Sequence, residues 1–189
     1  PEVQVVAASM PMKLIEPVGS PVLAPAAVGN TWGIEAVHAH TSPFNGEGVI
    51  VAVLDTGINP NHVSFQGVQL ERRNFTQDPD DDQHGHGTHC AGTIFGRDVD
   101  GLRIGVAPGV TKALIGKVLG SGGGSSATLA TAINWAYEKG ANVISMSLGI
   151  DFPGFVAELI KNGLPAEAAT SIALEQYRAN VNLFSTLTL

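Results

Sequence analysis

One cysteine, Cys90, stands in the 189 residues, so no internal disulfide framework holds this chain together, and its redox compartment is left open. Basic residues are also few. Ten Lys and Arg against 17 Asp and Glu give a net charge of −7. Such a balance argues against nucleic acid or anionic membrane as partners, because nothing neutralises phosphates. No apolar run nears the roughly 18 residues that a membrane span needs. No basic stretch leads into an apolar core as in a signal peptide, and the chain opens on Pro1-Glu2 instead of an initiator Met. That opening predicts a chain processed or excised from something longer. What is abundant is apolar residues, at 44%, and glycine, with 23. Together they suit one well-packed α/β domain with tight turns.

Residues 1–30 are rich in Pro, Ala and Val, and read as an extended arm with one short strand at Glu2–Val6. Thr31 is placed to cap a short helix whose Trp32 and Val37 face inward. Val49–Leu54 is a continuous apolar run between glycines, the pattern of a strand buried on both faces. Ala113–Leu119 and Asn142–Met146 look alike. Between those two, Leu129, Ala132, Ile133 and Ala136 share one helical face, with a serine cap at 125 or 126 and a stop at Lys139-Gly140. Strand, helix, strand in that order predicts a right-handed crossover and a parallel sheet with helices on both faces, an α/β doubly wound fold. Beyond Gly149, good helix formers split by Gly163-Leu164-Pro165 predict two helices.

Asp55 closes the first buried strand, at the end where open α/β sheets place their ligand crevice. Alone it reads equally well as a turn aspartate bonding to nearby N–H groups. About thirty residues later His86 opens Gly87-Thr88-His89-Cys90-Ala91-Gly92-Thr93, whose small side chains let a helix press against a sheet. A base at a helix start is rigidly aimed and titrates in a useful range. Paired, the two residues predict a carboxylate that orients an imidazole and stabilises it once protonated.

Val-Ala-Val-Leu-Asp-Thr-Gly (51–57), His-Gly-Thr-His-Cys-Ala-Gly-Thr (86–93), Gly-Val-Ala-Pro (105–108) and Ser-Met-Ser-Leu-Gly (145–149) resemble the motifs of subtilisin-type serine peptidases, in that family's order and spacing. The resemblance runs from about Trp32 to Gly149. It implies a doubly wound parallel sheet of subtilisin type, incomplete at the C-terminus, and a serine endopeptidase when complete. It implies Asp55 and His86 as triad acid and base. It also implies two walls of a substrate cleft, Gly122-Gly123-Gly124 and Ser147-Leu148-Gly149, which add an extended peptide as an extra strand. Its partners are then extended protein or peptide substrates, and a propeptide or a missing C-terminal segment; its localisation is secreted or extracytoplasmic. The arm at 1–30 resembles a propeptide tail or linker leading into a catalytic portion at 31–189, with 150–189 a helical insertion. No cofactor for catalysis is implied. The family's common structural calcium finds no clear ligand set here, since Ser64 stands where an acidic ligand is expected and Arg97-Asp98-Val99-Asp100-Gly101 only loosely resembles a calcium loop. Cys90, one turn beyond His86, reads by itself as a buried small hydrophobe. The resemblance of His-Gly-Thr-His-Cys to the proteinase K branch, where such a thiol lies near the active centre, implies mercurial sensitivity in a complete enzyme. The run Asp78–Asp82 reads as a solvated acidic loop.

The nucleophile is what the sequence withholds. No Gly-Thr-Ser-Met-Ala-like helix start and no Gly-x-Ser-x-Gly elbow occurs, and the family's oxyanion asparagine has no counterpart. The chain by itself is therefore expected to be inactive on peptides. Two other readings compete. A degenerate homologue or fragment would bind extended peptides without cutting them. A zinc hydrolase would use His84, His86 and His89, which fit His-x-His-x-x-His, although Thr88 stands where that pattern needs Asp.

Overall fold

The computed structural model describes residues 6–16 and 29–187. In chain order its elements are β1 (Pro11–Leu14), β2 (Gly29–Asn30), α1 (Trp32–Ala36), β3 (Ile50–Asp55), β4 (Gln69–Asn74) and α2 (His86–Phe95). Then come β5 (Leu102–Arg103), β6 (Lys112–Lys117), β7 (Gly124–Ser125), α3 (Ser126–Glu138), β8 (Val143–Ser145), β9 (Leu148–Ile150), α4 (Phe152–Lys161) and α5 (Ala166–Leu187).

The central sheet has the order β4-β6-β3-β8 and is parallel throughout. Alternation along β3 and β6 divides their side chains between two faces. Ala52, Leu54 and Leu114 pack with Leu129, Ala132, Ile133 and Trp135 of α3. Val51, Val53, Ala113 and Ile115 pack with Ala91 and Phe95 of α2 and with Phe65. A strand covered on both sides must be apolar at consecutive positions, which is why these two read as unbroken hydrophobic runs. The α/β, doubly wound, parallel arrangement expected from the sequence is the one found.

The helix over α3 follows its expected bounds, with the Ser125 hydroxyl accepting from Thr128 N–H and Gly140 turning at φ +80°. The two C-terminal helices also form, on either side of Gly163-Leu164-Pro165. Three expectations differ. Thr31 precedes α1 but makes no side-chain cap, and Trp32 and Val37 point outward; Ile34 is the buried residue of that single turn. Five residues bury one position facing the core, and it falls on Ile34. The strand β4 was not anticipated, because Gln-Leu-Glu-Arg-Arg-Asn carries the charges of an edge strand. Of the strand expected at Glu2–Val6, residues 2–5 lie outside the described residues.

A second small sheet, β7-β1-β9, sits beside the C-terminal ends of the central strands. Its middle strand is the arm. β1 pairs antiparallel with β7 on one side (Pro11↔Ser125, Met12↔Gly124) and with β9 on the other (Met12↔Ile150, Lys13↔Gly149, Leu14↔Leu148). Met12 is buried among Val118, Leu119, Leu129, Ile133 and Leu148, so the arm is anchored in the same core that α3 covers.

Candidate active site

The site grows from the junction of β3 and α2. Asp55 is the last residue of β3 and is 1% exposed. Its Oδ1 accepts the N–H of Thr56 at 2.7 Å and meets His86 Nδ1 at 2.7 Å. A carboxylate only accepts, so Nδ1 carries the proton and, in the neutral imidazole, Nε2 keeps a lone pair as a base needs. The other oxygen, Oδ2, is buried without a hydrogen-bond partner among the described residues.

Close backbone packing sets this contact. A Cβ at Gly87 would run into the Gly57 carbonyl oxygen and come within 3.2 Å of Asp55, so only glycine lets the first turn of α2 descend onto the strand end. Gly85 precedes the helix at φ +93° and supplies no side-chain cap. Asp82 does that work from four residues ahead of His86. Its Oδ1 accepts from His84 N–H, Gly85 N–H and the Thr56 hydroxyl, and its Oδ2 accepts from Thr88 N–H and the Thr88 hydroxyl. Thr56 in turn accepts from Gly87 N–H at 2.9 Å. Burial pushes the Asp82 carboxyl up, but these donors outweigh it and hold it below the ordinary carboxylate range.

The acidic run is a solvated loop as expected, with Asp80 and Asp81 exposed, and its carboxylates also make hydrogen bonds. Asp78 accepts from Ser121 N–H at 2.6 Å, Asp80 from Asn74, and Asp81 pairs with Arg72. The buried Lys117 donates to the Asp81 carbonyl. Ser64 is likewise engaged, with its hydroxyl 2.8 Å from His62 Nδ1. Cys90 Sγ lies 3.7 Å from His86 Nδ1. Burial pushes its thiol up, a hydrogen bond with Ser147 opposes that, and the Asp55 charge adds to it, so Cys90 stays a neutral thiol at pH 7. Among the described residues, Asp55, His86 and Cys90 are the one trio of metal-ligating side chains that draws together, with ligand atoms within 4.8 Å of one another. His84 and His89 do not join His86 in such a group; the His84 ring stands edge-on to His86 at 6.2 Å between centroids.

The two stretches expected as cleft walls both lie against the arm, with a shift in one of them. Ser147 accepts Ile15 N–H at 3.1 Å, and Leu148 and Gly149 pair with Leu14 and Lys13. On the opposite side the pairing strand is Gly124–Ser125. Gly120 and Gly123 spend their backbone groups on each other in a turn, which takes Gly122 and Gly123 out of the wall strand. A Cβ at Gly123 would sit 3.0 Å from the Met12 carbonyl oxygen, so the turn still lets the arm pass closely. The arm ends its paired course at His86: the Ile15 carbonyl oxygen is 3.4 Å from Nε2. No serine hydroxyl bonds to His86 among the described residues. Beside Leu14 opens a cavity of about 800 Å³ bounded by Thr56, His84, Lys117 and Leu119.

Sequence reasoning missed the roles of Asp82 and Thr56 and the strand at Pro11–Leu14 within the arm. The signal for Asp82 was present, an acidic residue just ahead of a helix start. The arm carried none, because four residues without alternation do not announce a strand whose partners are two or three residues long.

These features have counterparts elsewhere. The family model described as "Subtilase family" matches residues 46–182. The chain is 38% identical over 144 residues to the "Major intracellular serine protease" of Bacillus subtilis (strain 168), covering 69% of this chain and 45% of that one. It is 36% identical over 149 residues to "Subtilisin Savinase" of Lederbergia lenta, covering 75% and 54%. It therefore spans about half the length of these relatives. Among solved structures, fervidolysin from Fervidobacterium pennivorans, described as a keratinolytic enzyme related to subtilisin, superposes with a TM-score of 0.52 at 26% identity, over 75% of this chain and 26% of that one. With the family model matched across the strand-end aspartate, the helix-start histidine and both strands that flank β1, the chain belongs to the subtilase family of serine proteases.

Proposed function

We propose that this chain supplies the acid, the base and the peptide cleft of a serine endopeptidase whose nucleophile is carried on a segment outside these 189 residues. The 2.7 Å contact between His86 Nδ1 and Asp55 Oδ1 at the end of a buried strand carries the reading. In the reaction, His86 Nε2 takes the proton of the serine hydroxyl as it attacks the substrate carbonyl, and later returns it to the leaving amine. Asp55 keeps the imidazole in the right tautomer and stabilises the imidazolium.

The docked arm supports the substrate side. It runs antiparallel between β7 and β9 as an added strand, the geometry by which a sheet edge captures an extended peptide. The residue whose carbonyl faces the base is Ile15, which makes Ile15-Glu16 the bond positioned as a substrate bond would be. The described stretch of the arm, residues 6–16, is then an intramolecular occupant of the cleft, in the manner of a propeptide.

A fluorophosphonate probe tests this. In protein extended with the segment that follows in its reading frame, the probe should label one serine, and Asp55→Asn or His86→Ala should abolish labelling. The 189-residue chain alone should neither label nor cleave casein. Casein cleavage by the chain alone at ordinary protease rates would sink the proposal. A labelled extended protein that binds peptides yet keeps full activity in His86→Ala would also sink it.

A further inference from the structure

The C-terminal helices touch the arm at both ends of its course. Near the cleft, Asp151 caps α4 by accepting Gly154 N–H and also holds Lys13, Nζ to Oδ1, at 2.7 Å. Its own backbone N–H donates to the Pro11 carbonyl at 2.8 Å. Further out, Asn180 on α5 donates from Nδ2 to the Ala8 carbonyl at 2.9 Å, and Gln176, one turn earlier, accepts Ala8 N–H on Oε1 at 3.2 Å. Both main-chain groups of residue 8 are therefore taken by two side chains of one helix. Between these ends, Ser126 closes on Met10 in the same two-handed way, its N–H donating to the Met10 carbonyl and its hydroxyl accepting the Met10 N–H.

Asn180 is an unusual occupant of its position. With Ala169 and Ala173 it forms the buried face of α5, and it is completely buried. A buried amide costs stability unless it is bonded, and an apolar residue would satisfy helix packing without that cost. Its Oδ1 has no partner among the described residues, so helix packing alone does not account for it. The Ala8 carbonyl takes the one hydrogen bond that its side chain makes outside the helix among the described residues. Ala8 lies seven positions before Ile15, a reach of up to roughly 23 Å, far more than walls of two or three residues can grip.

We propose that α5 carries a distal peptide-binding subsite, built from Asn180 and Gln176, for the main chain of the residue seven positions before the one that faces His86. Asp151 adds a charge-selective position for a basic side chain two residues before it. The ligand is the main chain of an extended peptide, and its resident occupant is this chain's own arm. The proposal rests on reading the arm as lying in the cleft as a substrate would.

Hydrogen exchange on the whole 189-residue chain, followed in the peptide covering residues 6–15, tests it. Gln176→Ala should speed exchange of the Met12–Ile15 amides by about two- to tenfold, the worth of one net hydrogen bond. Gln176→Glu retains an acceptor for Ala8 N–H and should restore protection. Asp151→Asn keeps the α4 cap, loses only the charge, and should speed exchange about two- to fivefold. Asn180→Ala should act at least as strongly as Gln176→Ala; if circular dichroism shows that it unfolds the chain, the Gln176 pair decides. Unchanged arm exchange in Gln176→Ala with the fold intact overturns the distal subsite. Rapid arm exchange already in the unmodified chain overturns the cleft reading beneath it, a separate result.

Discussion

The acid–base junction and the peptide cleft lie side by side, yet they are held by opposite means. At the junction the backbones of β3 and α2 touch with no room for a methyl group at Gly87, and a carboxylate, Asp82, ties the helix start to Thr56 and Thr88. The cleft walls are strands of two and three residues, and what joins them is the arm strand laid between them. The contrast teaches that the Asp55–His86 contact is fixed by packing of β3 against α2, whereas β7 and β9 join into a sheet only through the strand laid between them. Without that strand, β7 and β9 would present unpaired N–H and carbonyl groups, the edge chemistry that pairs with an extended chain.

That division can be broken or sharpened by experiment. The largest effect belongs to the junction: Asp55→Asn in serine-bearing protein should lower kcat by about 10⁴ while KM moves little, as measured by steady-state hydrolysis of a peptide amide. A large change in KM instead would mean that the junction also shapes the cleft. Mercurials should inhibit that protein at least tenfold by loading Cys90, 3.7 Å from His86 Nδ1, and Cys90→Ser should remove the sensitivity. Gly87→Ala should destabilise the chain by about 1–3 kcal/mol in urea unfolding, because the added methyl forces α2 off the strand end. Asp82→Ala should cost about 1 kcal/mol or somewhat more through the lost cap.

Asp82 also predicts a pH dependence. Its folded carboxyl titrates below the ordinary range, so its contribution is present in full above the ordinary Asp value and disappears as pH falls through the lowered one. Acid unfolding of the unmodified chain should show this loss, and Asp82→Asn should flatten it. An unchanged acid profile would place the helix start's stability elsewhere. The smallest effect on the junction is expected from Met12→Ala, which empties a buried position on the arm at a cost of about 2–5 kcal/mol to its docking. It should loosen β1 in hydrogen exchange and leave the protection of β3 and α2 as it was.

The parts of this architecture legible in sequence are those whose neighbours are also apolar. β3 and β6 are covered on both faces, so each consecutive residue reports burial, and α3 shows one face at helical spacing. β4 was illegible because Glu71, Arg72 and Arg73 look like loop residues until β6 supplies a partner. Trp32 misled because large aromatics are usually inside, and a five-residue helix has room to bury only Ile34. Asp55 and His86 were legible through motif and spacing, and the structure brings them into contact. The arm's role was not, since its pairing depends on residues more than a hundred positions away that offer only a few backbone groups each. Asp82 was hidden within a run of acids, where only the direction of each carboxylate distinguishes a helix cap from a solvated loop.

Because the strand lying in the cleft is covalently part of the same molecule, a peptide arriving from solution contends with a local concentration on the order of millimolar, whatever the strength of the individual contacts. Modest affinity is enough for such a tethered guest to keep the groove filled. Cutting the tether would convert it into a dilute competitor, and dilution alone would then open the groove.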